Sequence, residues 1–125
     1  MKFDASIPIY LQVVTAIKRD IVTGRMKAGD KLPSGRDLAA AYQINPNTSA
    51  RVYQELEKEG IIFTKRGLGT FVTEDETLVF RLKDEMAEEV VSRFLEGMNE
   101  LNIPPGEAML LIEERLSAEI DETER

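Results

Sequence analysis

Asn47, Thr48 and Arg51 are spaced so that one turn of helix would carry all three on one side. An asparagine amide offers a donor and an acceptor together and can pair with an adenine edge. An arginine can bond bidentately to guanine, and a threonine can bond a phosphate or touch a thymine methyl. The same residues also fit a solvated helix end on which Asn47 and Thr48 only support capping. Ser34 and Arg36 open a preceding helix whose free N–H groups favour an anion through geometry and dipole. Arg36 is then a phosphate clamp, a base reader reaching over the groove edge, or an exposed cation beside Asp37. Lys65, Arg66, Gly67 and Thr70 form a third group, two cations beside glycines. Glycine lets a backbone approach a minor groove closely, and a narrow groove attracts arginine. That group also reads as an ordinary hairpin turn with solubilising charges.

Other chemistries lack their parts. The chain has no cysteine, which removes disulfides, thiolate metal sites and a cysteine nucleophile. It has no histidine, the usual general base and the commonest zinc ligand. The Gly67-Leu68-Gly69 stretch precedes a strand with no Walker lysine after it, so it is no phosphate-binding loop. Nothing in the acidic spacing resembles a calcium loop. No catalytic residue, metal or cofactor is expected.

Charge separates the chain into two halves. The net charge is −7, yet residues 1–73 carry +4 and residues 74–125 carry −11. A polyphosphate would repel the second half, so any contact with a duplex must come from the first. Met1-Lys2-Phe3-Asp4 has no apolar signal region, and no apolar run approaches the roughly 20 residues that cross a bilayer. A cytoplasmic protein without a membrane partner is expected.

The elements that must position the three groups are marked by caps and periodicity. Ser6 and Pro8 start a first helix in which Tyr10, Val14, Ile17 and Ile21 form one stripe, widened by Val13, and Gly24 stops it. Ser34 with Asp37 is close to a capping box and opens a helix of about two turns with Leu38, Ala39 and Tyr42 inward. Gln43-Ile44 connects it to a helix capped by Asn45, with Pro46 at its first position. Val52, Leu56 and Tyr53 form the buried face of that helix, and Gly60 ends it. Ile61–Lys65 and Gly69–Thr73 read as two strands of a hairpin, with Lys31-Leu32 as a possible third.

The break at Thr73 and Glu74 divides a DNA-contacting domain, 1–73, from an acidic two-helix region, 74–125. A long helix to about Leu101 carries Leu82, Met86, Val90, Phe94 and Met98 at three- and four-residue spacing. A last helix, about 107–120, carries Met109, Ile112 and Leu116, with fraying expected over 119–125. These stripes fit an effector pocket or a dimer face. Two helices cannot bury both stripes and also enclose a cavity of a few hundred Å3, so pairing with a second copy is the simpler account. Glu88, Glu89, Glu96, Glu113 and Glu114 fit a solvated face.

Several linked blocks then resemble the GntR family of bacterial transcription regulators. They are Pro8-Ile9-Tyr10, Gly29-Asp30-Lys31-Leu32-Pro33-Ser34, Arg36-Asp37-Leu38-Ala39, Asn45-Pro46-Asn47-Thr48, Tyr53-Gln54-Glu55-Leu56-Glu57, Glu59-Gly60 and Arg66-Gly67-Leu68-Gly69-Thr70-Phe71-Val72. The short tail is similar to that of the YtrA-like subfamily. The resemblance implies a homodimeric winged-helix repressor on an inverted-repeat operator. It maps a DNA contact onto Arg36, helix-start contacts onto Asn47, Thr48 and Arg51, and the wing glycine onto Gly67. Gly35 stands where many members carry Glu, and Pro46 and Ala50 stand where FadR-like members carry arginines. YtrA-like genes often neighbour transporter genes, which implies control of an ABC-type transporter operon.

The fold expected is mainly α with a small β-hairpin wing: a winged helix-turn-helix plus a C-terminal helical hairpin. The function expected is sequence-specific regulation of transcription, with double-stranded DNA and a second copy as partners and no residue that identifies an effector. A winged-helix adaptor that binds protein rather than DNA is the alternative.

Overall fold

An apolar stripe at helical spacing builds the element on which the first half rests. In the computed structural model, which describes residues 1–124, helix α1 spans Ile9–Val22. It buries Val13, Val14, Ile17 and Ile21. Pro8 is its N-cap and makes no side-chain cap bond. The cap expected from Ser6 is not made: α1 starts only at Ile9, and Pro8, two residues after Ser6, has no N–H for the Ser6 oxygen to accept. The Ser6 hydroxyl and N–H instead donate to the Asp4 carboxylate at 2.6 Å and 2.9 Å. Those bonds hold the Asp4 carboxyl below its usual range, the side-chain bond contributing most. Gln12 closes the leading segment onto α1, accepting from the Asp4 N–H and donating to the Asp4 and Ile7 carbonyls.

The next two helices start as their caps dictate. The Ser34 hydroxyl accepts the Asp37 N–H at 3.1 Å and opens α2, Gly35–Tyr42. Gln43 ends α2 in the left-handed region at φ 55°, and the Ile44 N–H donates to the Ala39 carbonyl. Two residues later the Asn45 side chain accepts the Asn47 N–H at 2.8 Å and α3, Pro46–Lys58, begins with proline in its first turn. A short connection with no room for slack therefore sets the angle of α2 to α3. Helix α3 packs on both α1 and α2, burying Ser49, Val52 and Leu56.

Strands β1 (Ile62–Lys65) and β2 (Gly69–Val72) pair antiparallel, with Phe63 opposite Phe71 and Lys65 opposite Gly69. The expected third strand is a single bridge, Lys31 to Phe71. It is flanked by the Leu32 N–H to the Thr70 carbonyl at 2.8 Å and the Val72 N–H to the Asp30 carbonyl at 2.9 Å. Pro33 lies just beyond and has no N–H with which to extend the ladder. Ile61, Ile62 and Val72 anchor the hairpin in the core.

Helix α4 runs Glu76–Glu100 and α5 runs Pro105–Glu124. The chain falls into two compact units, Met1–Lys83 and Asp84–Arg125, so the first two turns of α4 go with the first unit. Leu82, expected on the dimer stripe, is buried at 6% exposure. It is already covered within the protomer, and it leaves the stripe for that reason. Helix α5 starts two residues earlier than expected, since proline suits a first turn. It continues through the segment expected to fray as far as Glu124, and Arg125 lies outside the described residues. Between the helices Asn102 turns the chain at φ 60°. The backbones of α4 and α5 do not run in close contact along their lengths. As a result α5 leaves Met109, Leu110, Leu111, Ile112, Leu116 and Ile120 exposed, and among its described side chains only Ala108 is buried.

Candidate nucleic-acid interface

Two polar ties that join elements distant in sequence fix the start of α2 against α3. The Ser49 hydroxyl, on a fully buried side chain, donates to the Gly35 carbonyl at 2.6 Å. One turn further along α3, the Tyr53 hydroxyl donates to the Pro33 carbonyl. Burial pushes the Tyr53 phenol up to about 12, with smaller contributions from Tyr42 and Asp37. Burial also raises the Tyr42 phenol, helped by Asp20. Sequence periodicity assigns Tyr53 to the core and passes over Ser49. Their bonds hold Pro33, Ser34 and Gly35, and with them the exposed Arg36, on the N-terminal half of α3.

On α3 itself Asn47 and Arg51 are exposed and Thr48 is half-buried. The Asn47 N–H is spent on the cap, while its side-chain amide makes no hydrogen bond among the described residues. Arg51 is not loose. Its guanidinium carbon sits 3.8 Å from the centroid of the Tyr10 ring. The sequence places Tyr10 only in the apolar stripe of α1; it is half-buried and gives one ring face to Arg51. No spacing rule finds such a pair, because its members belong to separate helices.

The wing presents a third group. Arg66, Gly67 and Leu68 link the strands, and the Leu68 N–H donates to the Lys65 carbonyl at 2.9 Å. Gly67 holds φ +80°, with open space where a side chain would project. Lys65 lies 5.6 Å from the Phe63 ring centre and 5.4 Å from that of Phe71, two rings stacked 5.8 Å apart across the strands. Strand alternation puts Thr70, paired with Thr64, on the opposite face from Lys65. The structure therefore groups Lys65, Arg66 and Gly67 at the tip and turns Thr70 away from the Lys65 face. Lys31, expected from the sequence only as part of a third strand, also lays its side chain on the wing. Its Cε would come within 2.7 Å of a Cβ placed on Gly69, so glycine at 69 makes room for the lysine stem.

The charges of this surface are free. Among the described residues Arg36, Arg51, Lys65 and Arg66 have no carboxylate partner, whereas Lys18 pairs with Glu59 at 3.0 Å, Arg25 with Asp20 and Arg115 with Glu119. Cations without a carboxylate partner and a free side-chain amide suit phosphates and base edges. Among the described residues no group of histidine, cysteine, aspartate or glutamate side chains could hold a metal ion. No described helix is long and apolar enough to cross a membrane.

A helix-turn-helix followed by a two-stranded wing, with α3 presenting its N-terminal half, defines a winged-helix DNA-binding protein. The chain belongs to the gntR family of bacterial regulatory proteins, whose family model matches residues 9–72. It is 42% identical over 108 residues to the uncharacterized HTH-type transcriptional regulator YhcF of Bacillus subtilis, covering 86% of this chain and 89% of the relative. It is 51% identical over 71 residues to the HTH-type transcriptional repressor YtrA of the same organism, covering 57% of this chain and 55% of that one. A GntR family transcriptional regulator from Listeria monocytogenes superposes with a TM-score of 0.81 at 40% identity, over 90% of this chain and 98% of the other. The chain is thus a YtrA-like, DNA-binding transcriptional regulator and not an enzyme.

Proposed function

We propose that the protein is a cytoplasmic repressor that reads an inverted-repeat operator as a homodimer. The observation that carries the reading is the set of unpaired cations and amides at the start of α3 and on the wing, on a chain whose net charge is −7. Asn47 and Arg51 read base edges, Thr48 and Ser34 bond backbone phosphates, and Arg36 clamps a phosphate at the start of α2. Lys65, Arg66 and Gly67 bring the wing onto the minor groove, with Thr70 at its base.

A second copy completes the reader. One such module makes few base contacts, and two modules about one helical turn apart add theirs. The exposed apolar side chains of the second unit supply the driving force. Val90, Met109, Ile112 and Leu116 are 58%, 57%, 37% and 53% exposed, with half-buried Met86, Phe94 and Met98 beside them. Full burial of each large apolar side chain is worth about 1.5–3 kcal/mol. The likeness to YtrA extends the proposal to the regulated genes, an operon for an ABC-type transporter.

The test is selection from a random double-stranded DNA pool near physiological salt, with sedimentation in parallel. Enrichment of one inverted repeat by a dimer, with base preference relaxed in Arg51→Ala, is the expected result. An intact dimer that enriches nothing would overturn the reading in favour of an adaptor that binds protein.

A further inference from the structure

We propose that Tyr10 is the positioning residue of the base-reading arginine. Its ring holds the Arg51 guanidinium by one flat face, so that the in-plane N–H edge stays free for a base. The inference rests on the duplex-reading function proposed above and adds a residue from outside the helix-turn-helix to it.

The geometry separates two uses of one group. A guanidinium is planar, and its donors lie at the edge in a rigid fork. An aromatic ring attracts the cation through its face. With the Arg51 carbon 3.8 Å from the Tyr10 centroid, stacking occupies the face and leaves the edge unspent. No carboxylate competes for that edge among the described residues. Arg51 projects from the second turn of α3, one turn after Asn47, so the held edge lies on the same side of the helix as the Asn47 amide.

Tyr10 can act as a support because it is itself anchored. It belongs to the first turn of α1, just ahead of the buried pair Val13 and Val14. Helix α1 is packed against α3 and tied to its far end by the Lys18–Glu59 pair. An arginine free on a helix surface must surrender its side-chain freedom when it meets a base. One already stacked has surrendered part of it on folding, and less is lost on binding.

The experiment compares wild type, Tyr10→Phe, Tyr10→Leu, Arg51→Ala and the Tyr10→Leu/Arg51→Ala double variant. Each is titrated with the duplex that wild type enriches and with duplexes changed at the base pair whose preference Arg51→Ala loses. Tyr10→Phe keeps the ring face and should keep the preference. Tyr10→Leu should weaken it about two- to five-fold per half-site, the worth of an exposed stack, and should add nothing in the Arg51→Ala background. Full preference in Tyr10→Leu, or an equal loss of affinity with and without Arg51, would overturn the proposal; a merely structural tyrosine gives the latter pattern.

If Tyr10→Leu fails to fold, NMR of wild type and Tyr10→Phe decides. The Arg51 δ-methylene resonances should carry the ring's displacement both free and on the duplex, and loss of that displacement on binding would sink the idea. If wild type enriches no duplex, the function above falls and this inference with it. If wild type enriches one and Tyr10→Leu matches it, only this inference falls.

Discussion

The Tyr53 hydroxyl donates to the Pro33 carbonyl, joining the middle of α3 to the residue just ahead of the α2 cap. A winged helix must present two helix starts to one duplex at a fixed offset, and this bond spans that offset. Beside it the Ser49 hydroxyl fixes Gly35 at 2.6 Å. Both ties run from side chains of α3 to backbone at the start of the helix before it. Residues Ser34 to Arg36 are therefore placed by α3 rather than by their own short helix.

Removing the Tyr53 bond has a stability cost and a pH signature. Tyr53→Phe should lower unfolding free energy by about 1 kcal/mol, the usual net worth of one hydrogen bond. The Tyr53 phenol is raised from 10.0 to about 12 by burial first, so the folded state favours the protonated form. That contribution is fully present below pH 10 and is lost as the pH rises from about 10 to about 12. Urea unfolding across that window should fall more steeply for wild type than for Tyr53→Phe. Parallel curves would show that Tyr53 ionises alike in both states.

Ser49 tests how tightly the helix pair is packed. The side chain is 0% exposed and its hydroxyl has the Gly35 carbonyl as partner. Ser49→Ala loses the bond at nearly constant volume and should cost about 1 kcal/mol. Ser49→Val loses the bond and also forces extra carbon into a filled site, at about 1–3 kcal/mol for the overpacking. Midpoints of chemical denaturation should therefore rank wild type, Ser49→Ala, Ser49→Val. A valine variant as stable as the alanine one would mean that α2 and α3 can move apart.

The fold was legible where one element's residues decide it. The stripe of α1, the caps Ser34 and Asn45-Pro46, and the glycine-bearing tip each act within a few residues, and the helices and hairpin lie where those signals put them. The Ser6 cap failed because α1 starts only at Ile9 and the intervening Pro8 has no N–H to offer the Ser6 oxygen. Pairs from separate elements were not legible. Nothing in the spacing links Tyr10 with Arg51 or Tyr53 with Pro33, and the third strand expected at Lys31-Leu32 did not reveal that the lysine stem crosses Gly69. Leu82 illustrates the limit from the other side. It keeps step with Met86 and Val90 in the helical period, yet it is buried in the protomer and Val90 is 58% exposed. Periodicity identifies an apolar face but not what covers it.

At the wing, backbone need and duplex approach can be separated. Gly67 holds φ +80° with nothing near a new Cβ, so Gly67→Ala should cost about 1–2 kcal/mol of stability through backbone strain alone. Gly67→Asn tolerates that conformation and should spare the fold. It still puts a side chain where the backbone would approach the groove, so it should weaken DNA binding as much as Gly67→Ala. Lys65→Ala should instead reduce the slope of log affinity against log salt by about 0.9 for each phosphate that the lysine neutralises. Fluorescence anisotropy across a salt series reads both effects, and an unchanged slope would mean that Lys65 meets no phosphate.

The second unit offers the plainest test of assembly. Ile112 and Leu116 lie one turn apart on α5, exposed at 37% and 53%, and line a shallow groove of about 240 Å3 with Phe94, Met98, Leu111 and Arg115. The groove lies within the second unit and is almost wholly apolar. A carboxylate at Ile112 would be hydrated and harmless if that face meets water. If the face is buried between copies, Ile112→Glu places an unpaired charge in the interface, a penalty of several kcal/mol at each of two symmetric positions. Sedimentation should then give a monomer for Ile112→Glu and a dimer for wild type. Because the first unit keeps its own core of Val13, Ile17, Val52, Leu56 and Val72, the winged helix should remain folded by circular dichroism. Its affinity for a single half-site should survive while affinity for the full inverted repeat collapses to that same value. An Ile112→Glu protein that stayed dimeric would move the interface off this face of α5.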